Sequence, residues 1–176
     1  MGHNIYGARL TETFDHAELS INLAWDAWFA SRPNAASRSI IMLLPEIEKI
    51  AYAPAAPGQT LRAKELAIRA RGLSGSVCLD ALQNNTALYH YMQAHRFVEE
   101  IHDEDHAMTY LCLIGEVLRR QKNQSQALSH MERAKEKAPR LSNTARGHIL
   151  QLLAYAYGET GQEAAFERTI SEAQTF

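Results

Sequence analysis

The sequence repeats a pattern of small residues with an offset of 40 positions, and this repetition constrains the fold more than any other feature. In each copy a glycine is followed by two alanines, 12 and 19 residues further along the chain. The aligned pairs are Gly75 with Gly115, Ala87 with Ala127 and Ala94 with Ala134. Antiparallel helices that cross closely need small side chains where their backbones approach. The repetition therefore predicts a chain assembled from similar pairs of helices.

Hydrophobic periodicity is helical along nearly the whole chain, and no stretch shows the apolar–polar alternation of a β-strand. Prolines, glycines and short polar runs divide the pattern into eight segments. The predicted helices span residues 9–31, 35–53, 59–82, 85–101, 105–121, 124–138, 142–158 and 162–174. Pro45 falls inside the second helix and is expected to kink or split it. The predicted fold class is all-α, with short links that make neighbouring helices antiparallel.

Length and composition indicate one domain over residues 1–176 and disfavour several classes of protein. With 18 basic and 20 acidic residues the formal net charge is −2, which argues against direct nucleic-acid binding. Cys78 and Cys112 are too few for a disulfide framework, so a reducing compartment is expected. No stretch has the pattern of a signal peptide or the ~18 apolar residues of a membrane span. We therefore expect a soluble, cytoplasmic protein that does not associate with membranes.

The copy at residues 108–141 carries a diagnostic set of apolar and small positions. These positions are Leu111, Ile114, Gly115, Leu118, Ala127, Met131, Ala134 and Pro139. The pattern resembles the tetratricopeptide repeat (TPR), a helix–turn–helix unit of about 34 residues. Less complete copies lie at 68–101 and 147–176, and a degenerate copy lies at 17–50. The resemblance implies a right-handed superhelix of about eight helices in antiparallel pairs, which is a TPR-like α-solenoid.

The resemblance implies a non-catalytic module that binds a protein or peptide, because the first helix of each pair lines a concave face. The candidate binding residues on that face are Arg69, Ser76, Asp80, Thr109, Cys112, Glu116, Arg120, His148, Gln151 and Tyr155. Cys112 is expected to be partly exposed, and no cofactor is expected. If residues 17–50 form a repeat, Trp25, Trp28 and Phe29 join this face. Otherwise the two tryptophans pack into the N-terminal helix pair.

The segment GLSGSVCLDA at 72–81, together with the long repeat period, suggests a finer relationship within the family. It is similar to the helical sensor regions of bacterial helix-turn-helix regulators. This similarity implies a role in transcription regulation as the sensing or interaction part of such a regulator. The sequence itself contains no DNA-reading helix-turn-helix that we can identify.

The stretch EEIHDEDHAM at 99–108 suggests metal chemistry, because its two histidines, four residues apart, would share one face of a helix. The alternative function is therefore a metal-dependent all-helical hydrolase that uses Glu100, His102 and Asp103. The known ligand patterns are incomplete here, since H-E-x-x-H would need a glutamate at Asp103 and no aspartate follows Asp105. The competing interpretation is a turn between helix pairs, in which Asp103 or Asp105 caps the next helix. We favour the turn and predict no metal site.

The stretch HILQLLAYAYG at 148–158 is apolar nearly all round. A helix of this kind should be buried on all sides, yet its own repeat would cover only part of it. The sequence ends at Phe176, with no segment left over for the polar cap that a repeat array needs. We therefore expect a homodimer through the C-terminal helices, with a truncated array and a monomer as the alternatives.

Overall fold

Helices account for nearly all of the structure. A computed structural model describes the backbone of residues 2–53 and 56–175, with side chains from residue 10 onward within these ranges. Its helices are α1 (Gly2–Phe29), α2 (Pro33–Tyr52), α3 (Pro57–Asp80), α4 (Asn84–Ile101), α5 (Glu104–Arg120), α6 (Gln124–Lys137), α7 (Asn143–Glu159) and α8 (Glu163–Ala173). A 3-10 turn, Ala138–Arg140, follows α6. The described residues contain no β-strand, so the predicted all-α fold of eight helices is confirmed.

The predicted helix boundaries agree with the observed ones to within a few residues, except at the start of α1. The predicted break at 53–58 lies partly outside the described residues, between the end of α2 and the start of α3. We expected Pro45 to kink or split α2; it does not split the helix, because α2 continues through it, and the kink stays a prediction. Pro45 and Ile41 are both exposed, so water can bond the Ile41 carbonyl that loses its backbone donor.

The first of two compact units ends at Gln83 and contains α1, α2 and α3. All three helices pack against one another. The large buried side chains of its core include Phe14, Ile21, Ile40, Ile47 and Leu73. Arg71 of α3 is also buried, and it donates two hydrogen bonds of 2.7 Å to the carboxylate of Glu48 on α2. The charged pair therefore ties α2 to α3 beside the apolar core.

The second unit begins at Asn84 and contains α4 to α8. Helix α5 is at its centre and packs against α4, α6 and α7, while α7 also packs against α6 and α8. The core shared by α5, α6 and α7 consists of Leu111, Cys112, Met131, Ala134, Leu141, Ala145, Ile149, Leu153, Ala156 and Tyr157. The predicted repeats 108–141 and 147–176 fall on the pairs α5–α6 and α7–α8. The bounds of all four predicted repeats and the single domain stay predictions.

Helices α5 and α6 approach each other closely at Gly115. A Cβ atom placed on this glycine would lie 2.8 Å from Met131 Cγ and 3.0 Å from the carbonyl oxygen of Ala127. Ala127 and Ala134, which the repeat pattern predicts as small crossing positions, are both fully buried. The small residues of the repeat pattern therefore lie in the buried interface between α5 and α6, where Gly115 leaves no room for a larger side chain.

Five links between helices share one backbone turn. Each contains a residue with positive φ, and these are Ser31, Leu82, His102, Lys122 and Gly161, with φ between 57° and 68°. The N–H of the following residue bonds a carbonyl five positions earlier, as from Gln83 to Cys78 at 2.8 Å. This is the Schellman arrangement, which ends a helix and satisfies its last carbonyls. In each case the turn ends one helix, and the next helix begins after two or three residues.

Candidate functional site

The predicted binding residues of α5 lie at very different depths. Thr109 is half-buried and its hydroxyl donates to the Asp105 carbonyl at 2.8 Å, whereas Arg120 is exposed. Cys112 and Glu116 are buried, with only 1% and 4% of their surfaces exposed. Only the two ends of this row of residues are therefore accessible to a partner.

Cys112 is enclosed between α5 and α7, so the expectation that it is partly exposed is wrong. Its Sγ lies 3.9 Å from the Ile149 carbonyl oxygen. Burial raises the pKa of the Cys112 thiol, and the negative charge of Glu116 raises it further. A neutral, enclosed thiol is a core residue and neither a nucleophile nor a ligand contact.

Glu116 is the centre of a charged network at the C-terminal end of α5. Its carboxylate accepts hydrogen bonds from Arg119 at 2.7 and 2.8 Å and from Arg120 at 2.8 Å. Arg119 also pairs with Glu159 at the end of α7. Burial alone would raise the pKa of Glu116, but the hydrogen bonds from Arg119 and Arg120 outweigh it and lower the pKa. Glu116 therefore helps to join α5 to α7.

The predicted residues of α7 are more accessible than those in the middle of α5. Gln151 is exposed, and 58% of the surface of Tyr155 is exposed although this residue has a large aromatic side chain. His148 is half-buried, and burial lowers the pKa of its imidazole. In the second unit, Arg120, Gln151 and Tyr155 are thus the exposed members of the predicted set.

In the first unit, all three predicted residues have hydrogen-bond partners within the unit. Arg69 donates to Glu18 at 3.4 Å and to the side-chain oxygen of Asn22. Ser76 is half-buried and donates to the Gly72 carbonyl at 3.2 Å. Asp80 is exposed and accepts a hydrogen bond from the indole N–H of Trp28 at 2.8 Å.

The aromatic residues near the end of α1 form one cluster, to which Asp80 is attached through Trp28. Trp25 and Trp28 are half-buried, whereas Phe29 is 72% exposed. The ring centroids lie 5.5 Å apart for the two tryptophans and 5.1 Å apart for Trp28 and Phe29. The cluster is therefore partly packed and partly open to solvent, and its place on a concave face stays a prediction.

Comparison with known protein families assigns the middle part of the chain to a family of helical repeats. Residues 66–140 match the family model described as "Tetratricopeptide repeat". These residues belong to the tetratricopeptide-repeat family. The resemblance carried by Gly115, Ala127, Met131 and Ala134 is therefore confirmed.

Two further comparisons add little to the tetratricopeptide assignment. No curated protein matches the chain. One matching solved structure is a chain titled "DHF79 filament", which is 19% identical; the match covers 93% of this chain and 83% of that chain. Its TM-score is 0.30, so no structural argument follows from it.

The tetratricopeptide pair α5–α6 forms, together with α4, a groove that our sequence reasoning missed. The groove measures about 450 Å³, with α5 as its floor and α4 and α6 as its walls. Its lining residues are Leu88, Met92, His95, Arg96, Glu99, Leu111, Ile114, Leu118, Gln126 and His130. Burial lowers the pKa of His95, although the nearby Glu99 carboxylate opposes the shift. The available signal was the spacing of Leu88, Met92 and His95, which form a second stripe beside the core stripe of α4.

Within the stretch 99–108, His102 and Asp103 form the turn between α4 and the tetratricopeptide helix α5, whereas residues 104–106, which we also placed in the turn, already belong to α5. His102 has φ of 58° and lies outside the helices, while Asp103 is the N-cap residue of α5. The Asp103 carboxylate accepts from the His106 backbone N–H at 3.1 Å and lies 2.7 Å from the His106 ring. The Asp105 carboxylate accepts from the Ser142 N–H at 3.1 Å. Hydrogen bonding by Ser142, mainly by its side chain and further by its backbone, lowers the pKa of Asp105. The two acidic residues therefore stabilise helix ends.

The described residues show no assembled metal site. Within them, no group of three histidine, cysteine or acidic side chains could hold a metal ion. His102 precedes the first residue of α5 whereas His106 lies within α5, so the two histidines do not share a helical face. Nothing in the described residues therefore supports the metal-dependent hydrolase, and tetratricopeptide repeats are generally interaction modules rather than enzymes. None of the described helices is both long and apolar enough to cross a bilayer.

Proposed function

We propose that the protein is a non-catalytic module that binds a segment of another protein. The observation that carries the proposal is the tetratricopeptide match of residues 66–140, because such repeats generally mediate protein–protein interaction. A role as the sensing part of a bacterial regulator is a further proposal, supported by the similarity of residues 72–81 to such regions.

The proposed contact surface in the second unit consists of Arg120, Gln151 and Tyr155. All three are exposed and come from the first helices of the two pairs α5–α6 and α7–α8. Exposed tyrosine and arginine side chains supply a large share of the binding energy in many protein interfaces. Cys112 and Glu116 leave the set of contact residues because α7 and the neighbouring arginines enclose them.

Replacing Tyr155 with alanine is expected to weaken partner binding without unfolding the protein. Peptides selected from a random display library on the wild-type protein supply ligands whose dissociation constants can be measured. Truncation of a hot-spot tyrosine typically weakens binding by about thirtyfold. Tyr89→Ala is the matched control, because Tyr89 of α4 is 52% exposed and lies outside the proposed surface. Equal binding by the two variants, or a loss only in Tyr89→Ala, would contradict the proposed surface.

We also propose that two copies pair through α7 and α8. Supporting this, Tyr155, Phe166 and Ile170 are exposed and Leu152 is only half-buried. Light scattering at micromolar concentration should report twice the chain mass, and Leu152→Glu with Tyr155→Glu should restore the monomer mass. A monomer in the wild-type protein at high concentration would refute the pairing. Light scattering on Tyr155→Ala shows whether this substitution also changes the molar mass, so that an effect on self-association can be told apart from an effect on peptide binding.

A further inference from the structure

We infer that a depression in the first unit binds the guanidinium group of an arginine side chain from the partner protein. The depression measures about 430 Å³ and is lined by Trp28, Phe29, Ser31, Pro33 and Asp80. The inference rests on the proposed function, since it names the chemistry of one contact with a protein partner. It concerns the first unit, whereas the Tyr155 experiment concerns the second, so the two can fail separately.

The aromatic wall of the depression suits a flat cation. Trp25 packs edge-on against Trp28 with an interplanar angle of 84°, and this contact restricts the Trp28 ring. Phe29 lies against both tryptophans, yet 72% of its surface is exposed. Faces of aromatic rings attract cations, and arginine adds stacking because its guanidinium group is planar.

Asp80 supplies the negative charge of the depression. Its Oδ2 accepts the hydrogen bond from the Trp28 indole at 2.8 Å, which fixes the carboxylate beside the aromatic wall. Asp80 is also the last residue of α3, and the C-terminal end of a helix carries partial negative charge. Of the described residues that line the depression, none is basic. No described lining residue therefore neutralises the Asp80 carboxylate, which can pair with a cation of the partner protein.

The remaining wall of the depression is preformed by the turn between α1 and α2. Ser31 has φ of 57°, and the Arg32 N–H bonds the Ala27 carbonyl at 2.8 Å, which closes the end of α1. Pro33 follows as the first residue of α2 and has a fixed φ. Because this backbone is already constrained, a ligand would order few groups on binding.

A guanidinium group fits these features better than other organic cations. Its N–H groups can donate to the Asp80 carboxylate while its face lies on an aromatic ring. A quaternary ammonium has no N–H to donate, and a neutral urea group of the same shape has no charge. These differences define three probes: the tripeptide acetyl-Gly-Arg-Gly-amide, its citrulline analogue and tetramethylammonium.

The wild-type protein carries its own reporter, because its sequence contains only two tryptophans and both belong to the aromatic cluster. Intrinsic fluorescence is therefore expected to change saturably as the arginine tripeptide is added, with a dissociation constant of about 1 mM for a single side chain. The citrulline tripeptide and tetramethylammonium should bind about tenfold more weakly. An absence of saturable change with the arginine peptide, or an equal response to either control probe, would overturn the inference.

Substitution of the carboxylate tests the same site. Asp80→Asn keeps an oxygen for the Trp28 hydrogen bond but removes the charge, and it should weaken arginine binding by about tenfold. Asp26→Asn is the matched control, because Asp26 is an exposed acid of α1 that does not line the depression. Phe29→Leu, at a side chain too exposed to disturb the core, should weaken binding severalfold. Unchanged affinity in Asp80→Asn and Phe29→Leu, or an equal loss in Asp26→Asn, would show that the depression is not the arginine site.

Discussion

Gly115→Ala is expected to destabilise the protein, whereas Gly147→Ala should stabilise it. Alanine is favoured over glycine inside a helix by roughly 0.5–1 kcal/mol, and this gain applies at both positions. At Gly147 a new methyl group meets no atom within 4 Å. At Gly115 it would lie 2.8 Å from Met131 Cγ and 3.0 Å from a backbone oxygen. The difference between the variants isolates the steric cost, which is about 1–3 kcal/mol in a packed core.

Urea denaturation of both glycine variants measures this difference in the free energy of unfolding. A second measurement identifies the contact, because Met131→Ala removes Cγ, the side-chain atom against which the new methyl group clashes. The double variant Gly115→Ala with Met131→Ala should therefore be more stable than the sum of the single effects predicts. If Gly115→Ala were as stabilising as Gly147→Ala, the close approach of α5 and α6 would be wrong.

The positions of the helices and of their close contacts could be predicted from the sequence, because both depend on local pattern. Helical periodicity marks each segment, and prolines and polar runs mark the breaks. The small residues Gly115, Ala127 and Ala134 carry the crossing of α5 and α6, since larger side chains would hold the backbones apart. These are contacts between neighbours in the chain, so their spacing is visible in one dimension.

The turns between helices could not be predicted in detail, because their chemistry departs from the usual rule. A residue with positive φ at the end of a helix is normally glycine, but Leu82 and Lys122 occupy such positions here. A left-handed conformation costs such residues roughly 1–2 kcal/mol, so their identity does not signal the turn. At Lys122 the cost is offset by the packing of α5 against α6, which a local pattern does not show.

The depth of each candidate binding residue also could not be predicted. Cys112, Glu116 and Arg120 are four residues apart within α5 and therefore lie on one face of this helix. Whether a residue on that face is exposed depends on how closely the next pair packs, and Ile149 of α7 covers Cys112. The hydrogen bond between Trp28 and Asp80 joins residues 52 positions apart, which no local pattern reveals.

Arg119→Met should be among the most destabilising single changes on the charged surface of the second unit. Arg119 donates two hydrogen bonds to the buried Glu116 and also pairs with Glu159, so it links α5 to the end of α7. Without it, Glu116 keeps its charge in a buried position with Arg120 as its remaining arginine partner. Breaking a buried ion pair by removing one partner typically costs about 3–5 kcal/mol, and Arg120 should hold the loss near the lower end. Urea denaturation measures the loss.

The unpaired charge of Glu116, rather than lost packing of the Arg119 side chain, should account for most of that loss. Methionine retains much of the aliphatic length of arginine, so Arg119→Met changes mainly the charge and the hydrogen bonds. Adding Glu116→Gln to it removes the buried charge and should recover part of the stability. Arg120→Met is the matched control, because Arg120 is more exposed and exposed pairs are worth about 0–1 kcal/mol. If Glu116→Gln added its own loss to that of Arg119→Met, the buried charge would not be the cause.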